Sequence, residues 1–249
     1  MPDGDGSSNG GLKRPLAQGS RNAFFAPTAR FLGKACLAAL WTSTPKSRTT
    51  CTRCQRRGTQ AVKLGRERFL PWHRIYLFLF EKALQDLDPS LAIPYWDWKS
   101  TSQQDLPHWV SGFTDPVKTP LQAEIPMWVA PGDPKELNAI AQTIPTVLQH
   151  SAYTELTRSP EIARNLVHLW VDGIMAQIPT APVHPIFWMH QANLDRLWWT
   201  WQESRVGQGK HPNLPGGRAV LDPWGYREED TRDILQLGYQ YVGAPFPSQ

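Results

Sequence analysis

The chain lacks what a membrane protein or a disulfide scaffold needs. In its 249 residues no uninterrupted apolar run approaches the roughly 18 residues of a membrane span, so no transmembrane helix is expected. Its three cysteines, Cys36, Cys51 and Cys54, are few and odd in number for this length, and the fold must rest on its core. Cys51-Thr52-Arg53-Cys54 is a lone CxxC with no second pair or histidine beside it, a poor zinc site. Acids are scarce at one end: Met1 to Arg66 carries 12 Lys and Arg against only Asp3 and Asp5, a net charge of +10. The other 183 residues carry −6, from 14 basic and 20 acidic side chains. Attraction to phosphate would act through this basic head, and nucleic-acid binding is not expected of the folded body. What the chain has in quantity is 12 Trp and 23 Pro, which describe a rigid, aromatic-lined, loop-rich protein.

Two parts are expected, a basic, low-order segment at 1–65 and a folded domain at 66–249. The head opens Gly/Ser-rich and contains one apolar patch, Phe31 to Trp41, broken by Lys34. Its Arg-rich, Ser-rich, acid-poor composition overlaps that of organelle transit peptides. A targeting segment therefore stands beside plain disorder and a soluble, cytoplasmic location. From Phe69 the texture changes. After Pro71, the residues Trp72, Ile75, Tyr76, Leu79, Phe80, Ala83, Leu84 and Leu87 repeat at helical spacing, and Asp88-Pro89 ends the run. Ala92 to Trp98 reads as a rigid extended segment, followed by a long Pro-punctuated connection from Thr101 to Pro145. A second helix is expected from about Pro160, with Ile162, Leu166, Leu169, Val171 and Met175 as its apolar positions. A third lies within Met189 to Gln202, and no internal repeat is present.

Of the seven histidines, His73, His168 and His190 fall on these three helices, which is how helical bundles build metal sites. The surrounding motifs are specific. Phe69-Leu70-Pro71-Trp72-His73-Arg74, with Leu77, Glu81, Asp88-Pro89 and Pro94-Tyr95-Trp96-Asp97-Trp98, resembles the first copper region of the tyrosinase (polyphenol oxidase) family, whose members carry a coupled dicopper centre. Asn165 to Val171, then Pro185 to His190 and Ala192 to Trp198, resemble the second. Asp222-Pro223-Trp224 and Leu237 to Tyr241 resemble the tail of such domains. The resemblance covers about 66 to 243. It implies a mainly helical fold with a four-helix-bundle core wrapped by long loops.

The resemblance also implies copper held by six histidines, three to each metal, since neutral imidazoles suit copper in both oxidation states. Here the family pattern is met at His73 and His168 only. Leu64 stands nine residues before His73, where the family has another ligand, and no histidine precedes His73 at all. Arg164 occupies the position one turn before His168. Gln191 takes the place of the last ligand, with His190 before it, and His184 replaces an aspartate. Copper is thus expected to be absent or incomplete, with His73 and His168 as remnant ligands. A shifted reading frame at the head would remove the first two ligands together but not explain Arg164, Gln191 and His184. The expected function is binding, or metal-independent transformation, of a small aromatic compound. Arg164, His168, Asp172 and Glu155 are the candidate catalytic group, and Asn165, Phe187, His190 and Gln191 the candidate substrate contacts. In this reading Arg164 holds a phenolate or carboxylate and pairs with Glu155, while Asp172 orients His168 as a base. The alternative is a copper-dependent oxidoreductase with a rearranged site, converting phenols, catechols or aminophenols to quinones. A third class, in which the head binds nucleic acid or a membrane surface, would show as salt-sensitive binding.

Overall fold

In the computed structural model the described residues are 19–21, 58–100, 105–107, 110, 112–118 and 124–242. The Phe31 to Trp41 patch and the CxxC lie outside them. Four α-helices are described: α1 (Gly58–Gln85), α2 (Pro134–Val147), α3 (Tyr153–Val171) and α4 (Pro185–Glu203). Helix α3 packs on the other three, and α1 also packs on α4. Strands are minimal. β1 (Gly19–Arg21) pairs in parallel with β6 (Tyr239–Tyr241), and β2 (Val117–Lys118) with β3 (Glu124–Ile125) and β4 (Val220–Leu221) with β5 (Tyr226–Arg227) form antiparallel pairs. The fold is mainly helical, as expected, and no described helix is long and apolar enough to cross a membrane.

The helices differ from the sequence expectation in instructive ways. Helix α1 runs through Pro71 rather than starting after it. Proline removes the N–H that would bond the carbonyl four residues back, and that carbonyl, Glu67 O, instead accepts from the Tyr153 hydroxyl at 3.0 Å. Helix α3 begins seven residues before Pro160, because Tyr153, Leu156 and Thr157 already form its buried face. That face also differs from the one expected. Ile162, Leu166 and Leu169 are exposed, and Ala163, Arg164, Val167, His168 and Trp170 point inward. Helix α2 lies in what reads as a connection. Its signals are the Asp133 cap, which accepts from Lys135 N at 2.8 Å, Pro134 in the first turn, and buried Leu137, Ala141, Ile144 and Val147 on one stripe.

Helix α4 is buried on almost every side and organises the core. Trp188 stacks on Phe80 of α1 at 3.6 Å. The Tyr95 to Trp98 segment is pinned to α4 by Trp96 N–H donating to Met189 O at 3.1 Å and by Arg196 pairing with Asp97 at 2.7 Å. The extended reading of this segment holds. Buried Arg74 pairs with Asp195 at 2.6 Å, and that carboxylate also accepts from the hydroxyls of Tyr239 and Tyr241. The arginine of the first motif, the aspartate of the second and the tyrosines of the tail therefore meet at one point, fixing α1, α4 and β6 together.

Candidate functional site

Beside that clamp, His73 from α1 and His168 from α3 are both buried and lie close enough for the charge of one to bear on the other. The Nδ1–H of His73 donates to the Phe69 carbonyl, one turn back, at 2.8 Å. The Nδ1–H of His168 donates to the Met175 carbonyl at 2.7 Å. A carbonyl can only accept, so both rings carry their proton on Nδ1 and keep a lone pair on Nε2. This is the tautomer of a metal-ligating histidine, with the outer nitrogen fixed by a backbone oxygen.

His190 and His184 are held the other way round. The indole N–H of Trp98 donates to His190 Nδ1 at 3.1 Å, and the backbone N–H of Ile186 donates to His184 Nδ1 at 3.1 Å. Each ring therefore carries its proton on Nε2, the reverse of the ligand arrangement. His184 caps the N-terminus of α4, satisfying one of the donors a helix leaves open. Its Nε2 is buried without a partner. His190 Nε2 is buried against the Arg164 carbonyl but outside hydrogen-bond geometry.

Arg164 is 7% exposed and lies one turn before His168. Burial lowers the pKa of His73 and His168 to about 3 each, and the Arg164 cation pushes in the same direction. His190 is also held well below its ordinary value, by burial first and then by its charged and imidazole neighbours. These rings are neutral at physiological pH. Arg164 Nη1 donates to Asn165 Oδ1 at 3.0 Å, and Asn165 is exposed, so this pair forms the rim. Phe187 meets His168 edge-on at 5.9 Å between ring centres, and His190 lies 5.2 Å from it. The Gln191 amide nitrogen is 3.5 Å from His168 Nε2, while its Oε1 is buried with no partner.

Six of the expected site residues thus come together: His73, Arg164, His168, Phe187, His190 and Gln191, with Asn165 at the edge. Two do not. Glu155, expected to pair with Arg164, is exposed and lies 3.8 Å from His150. The acid near Arg164 is Glu161, which also pairs with Arg66 at 3.5 Å. Asp172, expected to orient His168, is exposed at the end of α3, where the chain turns to a left-handed φ of 54°. The partner that orients His168 is the Met175 carbonyl instead. Sequence reasoning missed this carbonyl, the Phe69 carbonyl and the Trp98 donor. Only the four-residue spacing of Phe69 and His73 announces its contact.

Among the described residues no group of three or more His, Cys, Asp or Glu side chains is gathered to hold a metal ion. A cavity of about 340 Å³ is lined by Leu106, Phe113, Met127 and Trp128 among others; its Phe113 ring lies 5.9 Å from that of His184, and none of these histidines lines it.

A family model described as the common central domain of tyrosinase matches residues 43–127 and 131–204. The tyrosinase of Streptomyces glaucescens is 31% identical over 217 residues, covering 70% of this chain and 77% of that protein. A functional unit of octopus hemocyanin superposes with a TM-score of 0.67 at 21% identity, covering 89% of this chain and 67% of that one. The polyphenol oxidase of Grenache grape (Vitis vinifera) superposes with a TM-score of 0.60 at 19% identity, covering 93% and 87%.

Proposed function

This chain belongs to the tyrosinase family of type 3 copper proteins, and from that premise we propose that its central site binds a small aromatic anion without assembling the family's copper pair. The observation that carries this reading is Arg164. Its cation bears on His73, His168 and His190 together, from the position at which the resemblance expects an imidazole ligand. A guanidinium stays protonated at any accessible pH, offers no lone pair and repels a metal cation. The donor set argues the same way. His73 and His168 present bare Nε2 atoms, whereas His184 and His190 are fixed with Nε2 protonated. Two imidazoles, one for each metal, do not fit a pair that needs six.

What the site offers instead is a positive charge in an aromatic, water-poor setting. A carboxylate or phenolate would pair with Arg164 through charge-assisted hydrogen bonds. Its ring would lie against Phe187 and the imidazoles, and entry would be over the Asn165 rim. With a pKa near 3 and no carboxylate beside it, His168 is a weak base, so this reading places binding ahead of proton transfer.

Calorimetric titration of benzoate into wild type and Arg164→Met tests the anion site. Binding is expected in wild type and at least about tenfold weaker in the variant, the loss of one charged hydrogen-bonding partner; equal affinities would remove the proposal. A second reading, a copper oxidoreductase with a rearranged site, is favoured by the ligand-type tautomers of His73 and His168. Copper per chain, measured after incubation with excess cupric salt and dialysis against a weak chelator, separates the two. A value near two restores the oxidase.

A further inference from the structure

We infer that the cavity bordered by Leu106, Phe113, Met127 and Trp128 is a second binding site, for a flat, uncharged two-ring aromatic molecule. No histidine lines it, so the inference is independent of the anion reading. Both of its walls are anchored to the core. On one side the Trp128 carbonyl accepts from Ile174 N–H at 3.1 Å, Ala130 N–H donates to the Val171 carbonyl at 3.0 Å, and Gly132 N–H to the Trp170 carbonyl at 2.8 Å. These bonds tie the segment to the end of α3. On the other side the Asp105 carbonyl accepts from the Trp96 indole at 3.1 Å, and Phe113 N–H donates to the Val110 carbonyl at 3.1 Å. A site held in this way needs little ordering to receive a ligand.

Trp128 is the feature that points to an aromatic occupant. Its side chain is 51% exposed, although an indole is among the largest apolar groups a chain can bury. It cannot sink further onto α3, because Gly173 lies directly against it and a Cβ there would come within 2.8 Å of Trp128 Cε3. One edge of the indole is thus seated on the end of α3, and the rest of the ring is left to the cavity. Buried Val110 and Met127 close the inner end, and exposed Asp105, Thr114 and Pro131 form the mouth. The rings of Phe113 and Trp128 and the thioether of Met127 favour an aromatic ligand over an aliphatic one. A dry cavity of roughly 150 Å³ takes one benzene, so about 340 Å³ has room for two fused rings. Charge narrows the class further. Asp105 is the only charged residue lining the cavity, and an anion would lose its water against apolar walls and a carboxylate. The ligand chemistry is therefore the opposite of that of the Arg164 site.

The test titrates indole, benzene and indole-3-carboxylate calorimetrically into the full chain, Trp128→Ala and Leu106→Trp. Indole should bind wild type about tenfold or more tightly than benzene, which leaves much of the apolar wall uncovered. Indole-3-carboxylate should not displace indole. Trp128→Ala removes a half-exposed ring but none of the backbone bonds, so the variant should stay folded and bind indole about tenfold more weakly. Leu106→Trp fills the cavity and should abolish indole binding. If Trp128→Ala does not fold, Leu106→Trp decides. No binding of indole to wild type, indole binding that Leu106→Trp keeps, or displacement of indole by indole-3-carboxylate overturns the proposal.

Discussion

Asp172→Gly should make this protein more stable. Asp172 ends α3 with φ 54° and ψ −163°, a conformation that is essentially reserved for glycine. A side chain held there costs about 1–3 kcal/mol, and introducing glycine costs about 0.5–1 kcal/mol through the flexibility of the unfolded chain. The carboxylate itself contributes no cap hydrogen bond to the turn that follows, and an acid at a helix C-terminus is disfavoured by a few tenths of a kcal/mol. The net gain is about 0.5–2 kcal/mol, which in a folded body of this size raises Tm by roughly 2–6 °C. Urea unfolding with an unchanged m-value is the assay, and Asp172→Ala is the control. Alanine removes the charge but keeps the Cβ, so it should recover only the small electrostatic share. If alanine gains as much as glycine, the effect is charge and not backbone. If glycine gains nothing, the residue is not strained and the turn orienting His168 has been misread.

Arg74→Met should be severely destabilising, by about 3–5 kcal/mol in denaturant unfolding, because it leaves Asp195 buried without its cation. The same substitution also removes bonds to Gln202 and the Thr231 carbonyl and the stacking over Trp198 at 3.7 Å, so the tail should become protease-sensitive. Acid stability should depend on His184, whose pKa burial lowers to about 4. Its neutral form is favoured in the folded state, so its contribution is complete above its unfolded pKa near 6.5 and is lost as pH falls from there through 4. Over that window His184→Asn, which keeps a cap acceptor but does not titrate, should flatten stability against pH by about 1.4 kcal/mol per pH unit. Parallel curves for the two proteins would refute this.

Much of the fold was legible because its elements announce themselves locally. The apolar repeat from Trp72 to Leu84 and the aromatic run from Leu194 to Trp201 mark the buried faces of α1 and α4. Helix starts were less legible where proline stands inside a helix, since Pro71 is tolerated only through a hydroxyl contributed by Tyr153, far away in sequence. The inward face of α3 was misread for a related reason. Hydrophobicity alone favours the stripe of Ile162, Leu166 and Leu169, but the inward stripe carries Arg164 and His168, polar residues whose burial only the partners on α1 and α4 can explain.

The site divides along the same line. Sequence identifies which imidazoles come together, and the tertiary fold decides which nitrogen each one offers. His168 and His190 are neighbours in space, 5.2 Å apart, yet one is proton-free at Nε2 and the other is not. The difference lies in a carbonyl at Met175 and an indole at Trp98, neither of which belongs to a ligand pattern. A histidine count would allow His184 and His190 to replace lost ligands. Their hydrogen bonds argue against it, because each would first have to give up the bond at Nδ1, and for His184 that bond also caps α4. The same logic sets the orientation of the Gln191 amide, whose nitrogen faces His168 and whose oxygen is buried without a hydrogen-bond partner. What can bind here therefore depends less on how many imidazoles remain than on which of their nitrogens the backbone has already claimed.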